Sequence, residues 1–119
     1  MRDFRKLQVW HTSHHIALAT YHVTRSFPKD EQFGIVSQMR RASYSIPSNI
    51  AEGCGRDSDA ELARFMTIAM GSASELEYFN LLAKDLEYLT LSDFENLNVK
   101  VIEVKRMLAP FIKRLKADG

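Results

Sequence analysis

The chain predicts an all-α fold, an antiparallel four-helix bundle spanning residues 1–119 as one domain. Three observations lead there. Apolar residues recur at helical spacing almost throughout, no segment sustains period-two alternation, and the breaks between periodic segments are too short for anything but antiparallel neighbours. The chain has 119 residues, 45% hydrophobic and 26% charged, enough for a core without metal or disulfide staples.

In the first expected helix Leu7, Trp10, His14, Ala17 and Tyr21 form the buried stripe, and Phe27-Pro28 ends it. The second carries Ile35, Val36, Met39, Ala42, Ser43, Ile46 and Ile50 and stops at Gly53-Cys54-Gly55, where the glycines suit a C-cap and turn. Pro47 lies inside it, so a kink or local break is expected between Ser43 and Pro47. The third opens on Ser58 with Glu61 three residues on, a capping-box spacing. Its stripe runs Leu62, Phe65, Met66, Ala69, Ala73, Leu76, Phe79, Ala83 and Leu86. The fourth is expected to start at a second such box, Ser92 and Glu95. Phe94, Leu97, Val101, Val104, Leu108, Phe111 and Leu115 then follow at alternating gaps of three and four, widened by Ile102 and Ile112. Pro110 should bend this helix or fray its last turns.

Composition excludes several classes. Lys and Arg total 16 against 15 Asp and Glu, for a net charge of +1, so the chain is not uniformly basic. Three prolines and five glycines are too few for a disordered chain. One cysteine cannot make an intrachain disulfide, and no apolar run reaches the roughly 18–20 residues that span a bilayer. The start, MRDFRKLQVWH, lacks the apolar stretch of a signal peptide. A cytoplasmic protein without a membrane role is the expectation.

The small total hides a segregation. Residues 1–56 hold eight basic and four acidic side chains, a net +4. Residues 57–95 hold two and nine, a net −7, and residues 96–119 hold six and two, again +4. Such a pattern can steer chains together while the sum looks neutral.

No catalytic constellation emerges, and no cofactor or metal is expected. His11 and His15 are an i, i+4 pair that could share a metal, but no Cys, Asp or Glu joins them locally. His14 falls on the expected apolar stripe and is best read as a hydrogen-bonded core residue. Arg5 and His11 match the Arg-x(4–6)-His spacing of the HEPN ribonucleases, themselves helical bundles, though at the wrong end of the chain. Cys54 has no neighbouring base and serves as a small turn residue.

The second helix is more informative. Gln38, Arg41, Ser45, Asn49 and Glu52 recur at gaps of three and four and so share one face. Their amide, guanidinium, hydroxyl and carboxylate groups can satisfy one another. On the third helix Gly71 and Ser72 lie in a run of small residues with Glu75 just beyond. Gly in a helix centre costs about 1 kcal/mol relative to Ala, which close approach of another helix, within or between chains, would justify. The expectation is a polar seam or subunit interface in which Arg41 pairs with Glu52 or Glu75. Basic residues fall into two sets, Arg40 with Arg41, and Lys105, Arg106, Lys113, Arg114 and Lys116. They are either solvated helix faces or phosphate contacts.

The strings FGIVSQMRRASYSIPSNIAEGCGR and RFMTIAMGSASELE, preceded by FRKLQVWHTSHHIALATYHVTRSFPKDE, resemble the four-helix-bundle proteins encoded by intervening sequences of bacterial 23S ribosomal RNA genes, also called the S23 ribosomal protein family. The resemblance covers nearly the whole chain, the last helix in pattern only. It implies protomers that assemble as a homopentameric ring. The related accessory variability protein of diversity-generating retroelements is a basic pentamer that works with a reverse transcriptase and RNA. By that analogy Arg40, Lys105, Arg106, Lys113, Arg114 and Lys116 are candidate RNA or DNA contacts. The family motif falls on Gln38, Arg41, Ser45, Asn49, Glu52, Gly53, Arg56, Gly71, Ser72 and Glu75, which look architectural. A non-enzymatic homo-oligomer is the leading expectation, a protein-interaction scaffold with an unidentified partner and no nucleic-acid binding is the alternative, and a HEPN-like ribonuclease resting on Arg5 and His11 ranks third.

Overall fold

The computed structural model describes residues 2–118, the side chain of residue 118 excepted, so residues 1 and 119 of the expected domain lie outside the described residues. The helices are α1 (Gln8–Thr24), α2 (Ser37–Cys54), α3 (Asp59–Asp85) and α4 (Leu91–Asp118). A 3-10 turn, Phe4–Lys6, precedes α1. A second, Lys29–Glu31, and a π-turn, Gln32–Val36, lead into α2. No strand occurs among the described residues. Consecutive helices pack on each other and α1 returns to α4, closing an up-down-up-down bundle. The protomer measures 45 × 22 × 20 Å. The 27 residues of α3 and 28 of α4, each about 40 Å at 1.5 Å per residue, match the long axis.

The core follows the expected stripes closely in α2, α3 and α4. Met39, Ile46, Ile50, Met66, Ala69, Ala73, Leu76, Val101, Val104 and Leu108 are fully or almost fully buried. Leu86 departs from the stripe, because α3 ends before it and leaves it exposed.

Helix α1 departs further. Its buried face is Val9, Thr12, Ser13, Ile16, Ala17, Thr20 and Thr24, while Leu7, Trp10 and His14 are only partly buried and Tyr21 is exposed. Three hydroxyls make this face buryable by donating to carbonyls of the preceding turn: Ser13 to Trp10 at 2.8 Å, Thr20 to Ile16 at 2.8 Å and Thr24 to Thr20 at 2.7 Å. A back-bonded threonine presents its methyl to the core and carries no unmet donor. His14 instead lies flat against Trp10, ring centroids 4.9 Å apart.

The caps refine the boundaries. The Ser58 hydroxyl accepts from the Glu61 amide at 3.1 Å, as expected. At α4 the cap is Thr90, accepting from the Asp93 amide at 3.0 Å, two residues before the anticipated Ser92. Helix α2 runs through Pro47 without the expected break, and α4 runs through Pro110 to Asp118. The irregular backbone lies instead at Gly34, in the π-turn.

Gly53 does not end α2 through a left-handed conformation, since no described glycine has positive φ. It is there because α3 comes close: a Cβ at Gly53 would sit 2.8 Å from Phe65 Cβ and 3.0 Å from Leu62 Cδ1. The left-handed position is Glu87, φ 65°, after α3. Tyr88 there donates its amide to the Ala83 carbonyl and Glu87 to Lys84, both at 2.9 Å, which closes a Schellman motif.

Candidate functional site

The expected polar seam exists only in its middle. Ser72 on α3 donates to Ser45 on α2 at 2.9 Å. Asn49 donates one turn back to the Ser45 carbonyl at 2.7 Å and to its hydroxyl at 3.0 Å. The ion pair anticipated for Arg41 does not form. Arg41 donates to the Gln38 amide oxygen at 2.9 Å, and Glu52 meets Arg56 at 3.1 Å. Both contacts lie within α2 and the turn that follows, because one helix turn brings those partners nearer than the facing helix does. Glu75 has no ion pair among the described residues.

Gly71 answers the question of close approach inside the protomer. A Cβ there would meet nothing within 4 Å, so no helix of the same chain requires a glycine. It lies on the solvent face of α3 with Ile68, Tyr78 and Leu81, all exposed apolar side chains.

The structure separates the expected nucleic-acid contacts. Lys105 on α4 is tied to Glu77 on α3 at 2.7 Å. Arg106 borders an apolar groove with Val99, Ile102 and Met107. Arg114 lies over the Phe111 ring at 5.5 Å, and Lys113 and Lys116 are exposed. Arg40 is at the other end of the bundle, bracing α1 against α2. Its Nε donates to Thr24 Oγ1 at 2.9 Å, one Nη reaches the Tyr21 carbonyl at 3.5 Å, and its guanidinium stacks 4.6 Å from the Tyr21 ring centre.

The histidine readings fare similarly. His11 Nε2 is 2.6 Å from the Arg5 carbonyl and so donates to it, which leaves one ring nitrogen free. The Arg5 guanidinium lies over Phe4 and beside Asp3. No group of three His, Cys, Asp or Glu side chains could hold a metal among the described residues. Cys54 is buried, and desolvation raises its thiol pKa above the ordinary value. No described helix is long and apolar enough to cross a membrane.

Two features lie outside the residues expected from the sequence. Asn80 in α3 is fully buried and donates to the Phe94 carbonyl at 3.0 Å, leaving its own carbonyl oxygen without a partner. An asparagine inside an apolar stripe, between Leu76 and Ala83, was the available hint. The Tyr88 hydroxyl donates to Glu31 at 2.8 Å and ties the α3–α4 turn to the α1–α2 connection. That bond raises the Tyr88 pKa above the usual phenol value.

Comparison with known proteins agrees with this architecture. No curated protein matches the chain. Among solved structures, a crystal structure of a protein of unknown function from the S23 ribosomal protein family of Bacteroides thetaiotaomicron superimposes with a TM-score of 0.80 at 28% identity, covering 88% of this chain and 98% of that one. The family model of the 23S rRNA-intervening sequence protein matches residues 5–110. With the bundle, the α2 motif and the family match all on one stretch of chain, this protein belongs to the 23S rRNA-intervening sequence protein family.

Proposed function

We propose that this protein is a non-enzymatic homo-oligomer, a pentameric ring on the pattern its sequence resemblance implies, which binds RNA or DNA through cationic surface residues. The observation that carries assembly is the outer face of α3. Gly71 sits mid-helix at a cost of about 1 kcal/mol relative to Ala, facing open space within its own protomer. Exposed Ile68, Tyr78 and Leu81 share that face. A second chain packed there would bury these side chains and use the missing Cβ.

The charge segregation supports the same reading. Residues 57–95 carry a net −7 and include all of α3, whereas the flanking segments carry +4 each. A neighbour's basic helix against an acidic α3 gains from that difference, more so at low salt.

Gly71→Arg makes the decisive variant, since the position is open inside the protomer and the monomer should keep its helicity and melting temperature. Light scattering should show the wild type as an oligomer at micromolar concentration and Gly71→Arg as a monomer. A wild type that stays monomeric at every salt concentration overturns assembly.

A second reading, a protein-interaction scaffold without nucleic acid, is favoured by the groove of Val99, Ile102 and Met107 on α4. A mobility-shift series over salt discriminates the two. Retarded RNA that is released as salt rises supports the first, and no retardation at any salt supports the second.

A further inference from the structure

Two clefts open side by side where α1 leaves the bundle and α2 enters it. Arg40 belongs to the wall of both. One cleft, about 270 Å³, is lined by Arg25 and Lys29 as well. The other, about 320 Å³, is lined by Tyr21, Phe33, Arg41 and Tyr44. No carboxylate lines either cleft.

This end gathers four cations without an acidic partner around two adjoining clefts. Arg2, Arg5, Arg56, Arg64, Lys84 and Lys105 each meet an Asp or Glu. Arg25, Lys29, Arg40 and Arg41 meet none among the described residues. Arg40 is held by neutral acceptors and a ring face alone, so its guanidinium is oriented yet keeps its full charge. Glu31, the nearby acid of the α1–α2 connection, is engaged by the Tyr88 hydroxyl. Glu31 keeps its charge through that bond, so Asp30 and Glu31 set two carboxylates against the four cations, and neither lines a cleft.

The aromatic side chains make the second observation. Phe33 projects from the π-turn 91% exposed, and Tyr44 and Tyr21 are 46% and 38% exposed. Phe33 gains almost nothing from burial in its own protomer. Such a ring beside uncompensated cations has the composition of a single-strand binding surface, where bases stack on side chains and the backbone follows positive charge.

We infer that the paired clefts bind an unpaired nucleic-acid segment. Phosphates lie against Arg25, Lys29, Arg40 and Arg41, and bases stack on Phe33 and Tyr44. Duplex hides its base faces and leaves the aromatics unused, so the site prefers single strands. The inference rests on the nucleic-acid reading above and moves its centre from α4 to the α1–α2 end.

Fluorescence anisotropy with labelled 15-nucleotide oligo(U), oligo(dT) and a 15-base-pair duplex tests it between 50 and 200 mM salt. Both single strands should bind at least tenfold tighter than the duplex. Phe33→Ala and Tyr44→Ala should each weaken single-strand binding about 5- to 100-fold, the range of one lost base stack, with unchanged melting temperatures. The double variant Arg25→Gln/Arg41→Gln should flatten the salt dependence. Equal affinity for duplex, or strand binding that survives the cleft variants but is lost in Lys113→Gln/Lys116→Gln, overturns the cleft assignment while nucleic-acid binding stands. A wild type that binds neither strand nor duplex removes the nucleic-acid reading, and the cleft assignment with it.

Discussion

The two ends of the bundle hold their arginines differently. At the end built from the chain start and the α2–α3 turn, Arg2 meets Asp59, Arg5 meets Asp3, Arg56 meets Glu52 and Arg64 meets Glu61. At the α1–α2 end, Arg25, Lys29, Arg40 and Arg41 find carbonyls, hydroxyls, an amide and a tyrosine ring, or nothing. The first end engages these four arginines in exposed pairs that add little to stability, while Lys113, Arg114 and Lys116 of α4, beside Arg2 and Phe111, meet no carboxylate among the described residues. The second keeps its cations available. Counting charges along the chain cannot make this distinction, because each segment contains both kinds.

Packing sharpens the contrast. At the paired end α2 and α3 nearly touch at Gly53, and the gap admits no side chain. Gly53→Ala should therefore cost about 1–3 kcal/mol in chemical unfolding, the largest effect proposed here, because Phe65 and Leu62 must move. An unchanged unfolding midpoint would mean that the helices can part freely there. Arg40→Ala at the open end removes hydrogen bonds and the stack on Tyr21, and should cost about 1–2 kcal/mol. Arg56→Ala, at the paired end, loses an exposed ion pair and a stack on Phe65 but no bond to another helix, and should cost less than about 1 kcal/mol. If the two arginine variants melt alike, Arg40 is not a brace and the contrast between the ends fails.

Smaller effects come from the α3–α4 turn, which borders the open end. Glu87 holds φ 65° without being a glycine, so Glu87→Gly should raise stability by about 0.5–1 kcal/mol in thermal melts. The Tyr88–Glu31 bond should be sensitive to alkali. The phenol pKa in the folded protein is raised above its ordinary value, chiefly because the hydroxyl donates to Glu31. Its contribution is therefore complete below about pH 10 and is lost as pH rises through the raised value. Melting temperature should fall more steeply there in the wild type than in Tyr88→Phe, and identical slopes would remove the latch from the account.

Much of this architecture was legible in the residues. The faces of α2 and α4 and most of α3's are plain periodic stripes, and the Ser58 cap sits where its spacing to Glu61 places it. The buried face of α1 lies about one residue of rotation from the expected stripe because Ser13, Thr20 and Thr24 count as polar in a pattern but behave as small apolar groups once back-bonded. Of the candidate site, Ser45, Asn49 and Ser72 were among the residues named for a seam or interface and are joined by hydrogen bonds, whereas Arg41 pairs with neither Glu52 nor Glu75 within the protomer. Arg40 was singled out, but its brace to Thr24 and the aromatic rims of its clefts were not.

The local sequence alone determined the number of helices, their approximate bounds and the segregation of charge, +4, −7 and +4. These depend on spacing within a few turns, which a linear pattern records. Only the tertiary structure decided which cations are cancelled, that Gly53 is a point of contact while Gly71 faces open space, and that Asn80 is buried. Each of those is set by residues far apart in the chain, such as Thr24 and Arg40 or Glu31 and Tyr88. Electrostatic and packing energies fall with distance in space, and sequence separation does not measure that distance.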